Sequence, residues 1–295
     1  MTKPDRNRLV LFFSVLAVAA VLLIVVAELA DMNPITLAPI YMFSPMIAGL
    51  IVSWRYGISI SELGLQLGRP RWLVISAVIA LPLIGLTLLL AIGVPGVGFD
   101  PTVDLLPGIE LPPGMLGVAA AFGLVLGIGV TINAFFAFGE EFGWRGYLLW
   151  ELAPWGFWKA SFVIGAIWGL WHAPVIIAGY NYPSFPFVGV LFMMLACAVF
   201  SPIYTYLVVR ARSVLAAALL HGVFNGSAGI VVAFAVTDTV FLGELVASPV
   251  GLAGILAFGV VTVGIAASGA PPLTREFARD GGDVAAAHTP APSGD

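Results

Sequence analysis

Eight stretches of about 20 mostly apolar residues run through this chain, and they constrain its fold more than any other feature. They cover residues 9–30, 35–54, 73–95, 115–138, 160–179, 187–209, 213–235 and 249–269. A helix needs about 20 apolar residues to cross a bilayer. Only 9% of this chain is charged, against about 25% in soluble domains. The sequence therefore predicts an all-α polytopic membrane protein with eight transmembrane helices.

The positively charged residues indicate how these helices are oriented. Lysine and arginine concentrate in the cytoplasmic segments of membrane proteins. With the N-terminus inside, all twelve fall on the inner side: Lys3, Arg6, Arg8, Arg55, Arg69, Arg71, Arg145, Lys159, Arg210, Arg212, Arg275 and Arg279. Both termini are therefore predicted to be cytoplasmic. The first apolar run is longer than the core of a signal peptide, so it is interpreted as an uncleaved span.

Three regions follow from this pattern. Residues 1–8 form a short basic N-terminus, residues 9–269 form the membrane domain, and residues 270–295 form a tail rich in Ala, Pro, Gly and Asp that is predicted to be disordered. Cys197 is the sole cysteine, which excludes an intrachain disulfide and a thiolate metal site. The sequence has no phosphate-binding glycine loop and no basic surface typical of nucleic-acid binding.

A polar segment interrupts the apolar pattern just after the fourth stretch. Glu140 and Glu141 are adjacent, and Arg145 follows four residues after Glu141. Charge at membrane depth is costly and usually functional. Residues four apart share a helix face, so Arg145 is predicted to pair with Glu141, while Glu140 points elsewhere and faces a cavity. The fourth span is predicted to continue through Trp150, because the residues after Phe142 are largely apolar.

Two histidines lie within other spans. Trp168 and His172 share a face of the fifth span, and Pro174 is predicted to loosen the helix just past His172. His221 and Asn225 share a face of the seventh span. Small residues at 222 and 226 would let another helix approach closely.

These residue types are suited to activating water without a serine or cysteine nucleophile. A carboxylate and an imidazole can hold a water and accept its proton, while a second imidazole and an amide can donate to an oxyanion. The same carboxylate and two imidazoles could instead hold a divalent metal such as zinc, with Glu140, His172 and His221 as ligands. The helical His-Glu-x-x-His signature is absent, so the spacing does not require a metal.

At these residues the chain resembles the CPBP family of intramembrane proteases, which includes the CAAX prenyl proteases and bacteriocin-processing proteins. The family pattern is Glu-Glu-x-x-x-Arg, then Phe-x-x-x-His, then His-x-x-x-Asn. Here these motifs are Glu140 to Arg145, Trp168 to His172 with Trp in place of the usual Phe, and His221 to Asn225. The resemblance covers about residues 115–230.

The resemblance implies an eight-helix membrane fold and an endopeptidase that cuts near the membrane. By analogy, Glu140 and His172 activate the water and His221 and Asn225 stabilise the oxyanion, with Glu141, Arg145 and Trp168 in support. Family members are described both as metalloproteases and as metal-free glutamate proteases. The expected partners are membrane lipid and a peptide or protein substrate, with no nucleic acid.

Two other functions remain open from the sequence. One is a non-catalytic scaffold or immunity protein with the same fold, and the other is a proton-coupled transporter that uses Glu140, His172 and His221 as a relay. Paired broken helices would favour the transporter, and the sequence shows none. The richness in Ala, Val and Gly indicates a prokaryote, so the expected location is its plasma membrane.

Overall fold

The computed structural model describes residues 3–100 and 111–279, and it is mostly helical. The first half of the chain forms α1 (Arg6–Leu29), a 3-10 turn (Pro34–Leu37), α2 (Ala38–Tyr41), α3 (Ser44–Tyr56), α4 (Pro70–Ile92) and β1 (Val97–Phe99). The elements after β1 are α5 (Met115–Ile128), a π-helical segment (Gly129–Asn133), α6 (Ala134–Glu141), a second π segment (Phe142–Leu148), α7 (Leu149–Leu152) and a 3-10 turn (Ala153–Trp155).

The second half completes the bundle. It forms α8 (Phe157–Trp171), α9 (Ala173–Ile177), α10 (Pro186–Ala211), α11 (Leu215–Phe234), β2 (Ala235–Thr237), a third π segment (Leu242–Val246) and α12 (Leu252–Ser268). In the described part of the chain, seven helices are long and apolar enough to cross a membrane. The chain is thus a multi-pass membrane protein. The eighth predicted span corresponds to α12, a shorter apolar helix of 17 residues, and its crossing stays a prediction together with the orientation of the termini.

The fourth span is one continuous helical stretch of 41 residues from Met115 to Trp155. At 1.5 Å per residue it is roughly 60 Å long, about twice the thickness of the hydrocarbon core. The predicted continuation through Trp150 is therefore confirmed. It places Glu140 about 22 Å from the Trp155 end, well inside the helix.

A small sheet departs from the all-α prediction. Strand β1 pairs antiparallel with β2, with Val97 opposite Thr237 and Phe99 opposite Ala235. Each strand has three residues, too few to show a period-2 pattern in a chain dominated by apolar helices. The sheet ties the end of α4 to the end of α11.

The prediction of a disordered tail from residue 270 does not hold for residues 270–279. Leu273 and Phe277 are buried, and Arg275 forms an ion pair with Glu151 at 2.8 Å. The Gln66 amide also donates to the Ala278 carbonyl. Composition averaged over the whole tail conceals these two apolar anchors, which are spaced by four residues. Residues 280–295 of the predicted tail lie outside the described residues.

Glycines set the closest helix contacts. A Cβ at Gly222 of α11 would collide with the backbone of Gly129 and Ala134, and one at Gly226 would lie 3.0 Å from the Val125 carbonyl oxygen. The predicted close approach at positions 222 and 226 is confirmed. It holds α11 against the helix that carries Glu140.

Candidate active site

The polar residues singled out from the sequence meet at one cavity. The cavity has a volume of about 750 Å³, and its walls include Glu140, Trp168, His172, His221 and Asn225. These side chains come from α6, α8, the turn after α8, and α11. Asn225 lies in the open part of the cavity, His172 is half-buried, and Glu140 is buried. Residues far apart in sequence thus face one space, as the water-activation hypothesis requires.

Glu140 is held by the side chain of Trp168. The indole Nε1–H donates to Glu140 Oε2 at 2.6 Å, and Glu140 is only 2% exposed. The Trp168 ring also packs against both imidazoles, with its centroid 5.8 Å from that of His172 and 5.2 Å from that of His221. A carboxylate can accept about four hydrogen bonds, so Glu140 retains acceptor positions for a water molecule.

Glu141 has a different environment from Glu140. Its Oε1 accepts hydrogen bonds from Arg145 Nη1 at 3.1 Å and from His221 Nδ1 at 2.8 Å. All three side chains are buried. The ion pair predicted from the four-residue spacing is confirmed, and it extends to a histidine that the spacing does not reveal. Glu141 therefore orients His221, while Glu140 faces the cavity.

The Arg145 guanidinium is enclosed by aromatic rings. Its Cζ lies 4.4 Å from the Trp168 ring centroid and 4.5 Å from that of Tyr204. A cation over the faces of two rings is stabilised by cation–π attraction, most strongly where water is excluded. Sequence reasoning missed Tyr204, because a tyrosine within an apolar span carries no motif of its own.

Hydrogen bonding determines which ring nitrogen of each histidine carries the hydrogen. His172 Nδ1 lies 2.8 Å from the Trp168 carbonyl oxygen, and His221 Nδ1 lies 2.8 Å from the Glu141 carboxylate. Both oxygens are acceptors, so Nδ1 carries the hydrogen in each case. In the neutral ring, Nε2 then keeps its lone pair and can accept a hydrogen bond from water.

Local backbone irregularities surround the site. α8 ends at Trp171 and α9 begins at Ala173, so the helix is interrupted at His172, as Pro174 predicts. Two π-helical segments, Gly129–Asn133 and Phe142–Leu148, flank the helix that carries Glu140. Such segments occur often at functional sites, because the extra residue per turn re-aims the side chains.

The donors do not form a closed metal site. In residues 3–100 and 111–279, no group of three or more His, Cys, Asp or Glu side chains could hold one metal ion. Glu140 uses Oε2 to accept from Trp168, and His221 uses Nδ1 to donate to Glu141. These bonds leave Glu140 Oε1 and the Nε2 atoms of His172 and His221 available, so the zinc hypothesis stays a prediction.

The cavity opens among loops at one end of the bundle. Its rim includes Asn181, Pro183 and Val240, which are exposed. Tyr182 is buried beside them and donates to the Val250 carbonyl at 2.8 Å. Burial raises the pKa of the Tyr182 phenol, so this group remains a hydrogen-bond donor and joins the two loops of the rim.

Comparison with known proteins gives one family. Residues 119–227 match the family described as "Type II CAAX prenyl endopeptidase Rce1-like". No curated protein matches the chain. The matched segment contains Glu140, Arg145, Trp168, His221 and the intervening His172, and it is consistent with the CPBP resemblance stated from the motifs. That resemblance is confirmed for this segment, and the family is one of membrane proteases.

Proposed function

We propose that this protein is an intramembrane endopeptidase that hydrolyses a peptide bond near the membrane, with Glu140 as general base. One observation carries the proposal: the Glu140 carboxylate, held by Trp168, faces a cavity that also contains two imidazoles and the Asn225 amide. The match to a protease family over residues 119–227 supports the same conclusion.

The mechanism starts with a water molecule between Glu140 and His172. Glu140 accepts a proton from the water as the water oxygen bonds to the carbonyl carbon of the substrate. General-base assistance of this kind contributes about 10²- to 10⁴-fold to a rate. His172 holds the water through Nε2, since its Nδ1–H is bound to the Trp168 carbonyl.

The carbonyl oxygen becomes an oxyanion in the tetrahedral intermediate. The Asn225 amide is the neutral donor for it. His221 takes a proton from a cavity water onto Nε2 and donates it to the oxyanion, while its Nδ1–H keeps the bond to Glu141. The C–N bond then breaks, and the proton taken up by Glu140 passes to the leaving nitrogen. A carboxylic acid and an amine are the products.

Glu141 and Arg145 act through other residues. The ion pair between them neutralises a buried arginine, and Glu141 fixes the orientation of the His221 ring. Arg145 in turn packs against the Trp168 ring, which holds Glu140. These contacts preorganise the site, so little rearrangement is needed as charge develops.

The test is cleavage of membrane-tethered peptides by the purified protein in proteoliposomes. We expect Glu140→Gln and His172→Ala each to lower the rate by about 100-fold or more. Glu276→Gln is the control, because Glu276 is an exposed carboxylate outside the cavity. A chelator should leave the wild-type rate unchanged if glutamate alone activates the water, and it should abolish the rate if a metal takes part.

Other results would favour other functions. If the folded wild type cleaves no member of a broad library, the activity is not proteolysis, and a scaffold or immunity role becomes the better proposal. Proton movement coupled to a solute in the same liposomes, lost in Glu140→Gln, would instead support a transporter.

A further inference from the structure

The cationic residues of this protein lie at one end of its helices. All lysines and arginines except the buried Arg145 are at helix ends or in connections on this side: Lys3, Arg6, Arg8, Arg55, Arg69, Arg71, Lys159, Arg210, Arg212, Arg275 and Arg279. Contacts join these segments. Arg8 and Arg275 both pair with Glu151, and the Arg69 amide donates to the Ala211 carbonyl at 2.8 Å. We call this side the cationic end.

The cavity opens at the opposite end of the bundle. Its rim is built from the loop after α9, strand β2 and the segment before α12. Contacts join these loops as well: the Ser184 amide donates to the Glu244 carboxylate at 3.0 Å, and the Asn33 amide donates to the Ala178 carbonyl at 3.3 Å. The sequence places no lysine or arginine in these loops.

Membrane proteins keep lysine and arginine on the cytoplasmic side. The separation here is complete, because the cationic end holds every lysine and arginine outside the site and the cavity end holds none. We propose that the cavity opens to the extracytoplasmic face and takes as substrate a membrane-anchored peptide segment exposed on that face. The substrate part of this proposal rests on the proposed peptidase function, whereas the orientation does not.

The walls of the cavity further limit the substrate. Its charged lining residues are Glu140 and Glu244, and no lysine or arginine among the described residues lines it. Apart from the imidazoles of the reacting centre, a free C-terminal carboxylate would find no cationic partner there, and it would face carboxylates instead. The site therefore binds an internal segment of neutral or basic residues, and chain ends carrying a free carboxylate are poor ligands.

Cysteine labelling tests the orientation without any activity assay. In a Cys197→Ala background, Val240→Cys marks the cavity end and Leu67→Cys marks the cationic end; the native side chains are 62% and 75% exposed. A membrane-impermeant maleimide applied to intact cells should label Val240→Cys, and Leu67→Cys only after permeabilisation. Labelling of Leu67→Cys but not Val240→Cys on intact cells would overturn the proposal.

Cleavage in oriented vesicles tests the substrate. A peptide anchored by one acyl chain in the outer leaflet should be cut in right-side-out vesicles and spared in inside-out vesicles, with Glu140→Gln inactive in both. Cleavage confined to inside-out vesicles refutes the proposed face but upholds the peptidase. If the peptide is cut in neither vesicle type while the maleimide labelling gives the expected result, the peptidase proposal fails and the orientation stands.

The preference for internal segments has its own readout. Peptides ending in an amide should be cleaved several-fold faster than the same peptides ending in a free carboxylate. Glu244→Gln should reduce the advantage of lysine-containing over neutral peptides while both are still cut. Faster cleavage of the free-carboxylate peptides would contradict this part of the proposal.

Discussion

The indole nitrogen of Trp168 lies 2.6 Å from Oε2 of Glu140 and donates a hydrogen bond to it within the buried wall of the cavity. The same ring covers the guanidinium of Arg145, whose partner Glu141 holds His221. Trp168 thus connects the carboxylate that faces the cavity to the buried ion pair behind it. The family resemblance has Phe at this position, and phenylalanine can keep the ring contact but has no N–H to donate.

Trp168→Phe separates these two roles. It keeps an aromatic ring against Arg145 and removes only the donor to Glu140. A hydrogen bond to a charged group contributes about 1.5–3 kcal/mol, so we expect kcat to fall by roughly 10- to 100-fold with KM little changed. Kinetics on a tethered peptide in proteoliposomes measure this split. An equal loss in Trp168→Leu and Trp168→Phe would support the donor, and an unchanged kcat in Trp168→Phe would argue against it.

Much of this site could be predicted from the sequence. Intramembrane charge identified Glu140 and Glu141, and helical spacing separated the carboxylate that pairs with Arg145 from the one that faces the cavity. The bond between Glu141 and His221 could not be predicted, because it joins two helices whose relative rotation depends on packing. The Trp168 donor was missed for a similar reason, since a tryptophan in an apolar span is typical of packing alone.

Glu140→Gln should mainly remove activity, whereas Glu141→Gln should mainly lower thermal stability. Gln at position 140 can still accept from Trp168, so we expect activity to be lost with little change in thermal stability. Gln at position 141 leaves the buried Arg145 without a carboxylate, and removing one partner of a buried pair costs about 3–5 kcal/mol. Thermal unfolding in detergent, measured beside peptide cleavage, distinguishes the two. Equal stability of both variants would contradict the division of roles.

Gly222→Ala tests whether close packing of α11 positions the site. The added Cβ would collide with the backbone of Gly129 and Ala134, so α11 must move away from the helix that carries Glu140. We expect lower stability and a loss of cleavage of at least 10-fold, because His221 moves with α11. Gly264→Ala is the matched control, since a Cβ there meets nothing within 4 Å. Wild-type activity in Gly222→Ala would show that the gap between these helices is not needed.

The fold shows the same division between local pattern and tertiary contact. Apolar length predicted the positions of six of the seven long helices to within about three residues, because the bilayer fixes the length of a span. The fourth apolar stretch was bounded at residue 138, whereas its helix runs on to Trp155. The π segments that flank Glu140 and the strand pair between Val97 and Thr237 depend on contacts between distant segments, and no local propensity marks them. Packing of the segment after α12 was missed because Arg275 finds its carboxylate partner more than a hundred residues away.

That partner, Glu151, gives the last prediction. Its carboxylate is fully buried and accepts hydrogen bonds from the Asp5 backbone amide at 2.7 Å, from Arg275 at 2.8 Å and from Arg8 at 3.5 Å. It therefore joins the start of α1, the end of the fourth span and the chain after α12. The two arginines are about one-quarter exposed, which screens part of the interaction. We expect Glu151→Gln to destabilise the protein by on the order of 2 kcal/mol and to make the chain after α12 easier for an added protease to cut. The candidate active site around Glu140 should stay intact. Limited proteolysis and thermal unfolding measure both effects.

Glu276→Gln is the control, because its pair with Arg279 is about half exposed and should contribute little. If Glu151→Gln protects the segment as well as wild type does, the apolar contacts of Leu273 and Phe277 alone hold it in place.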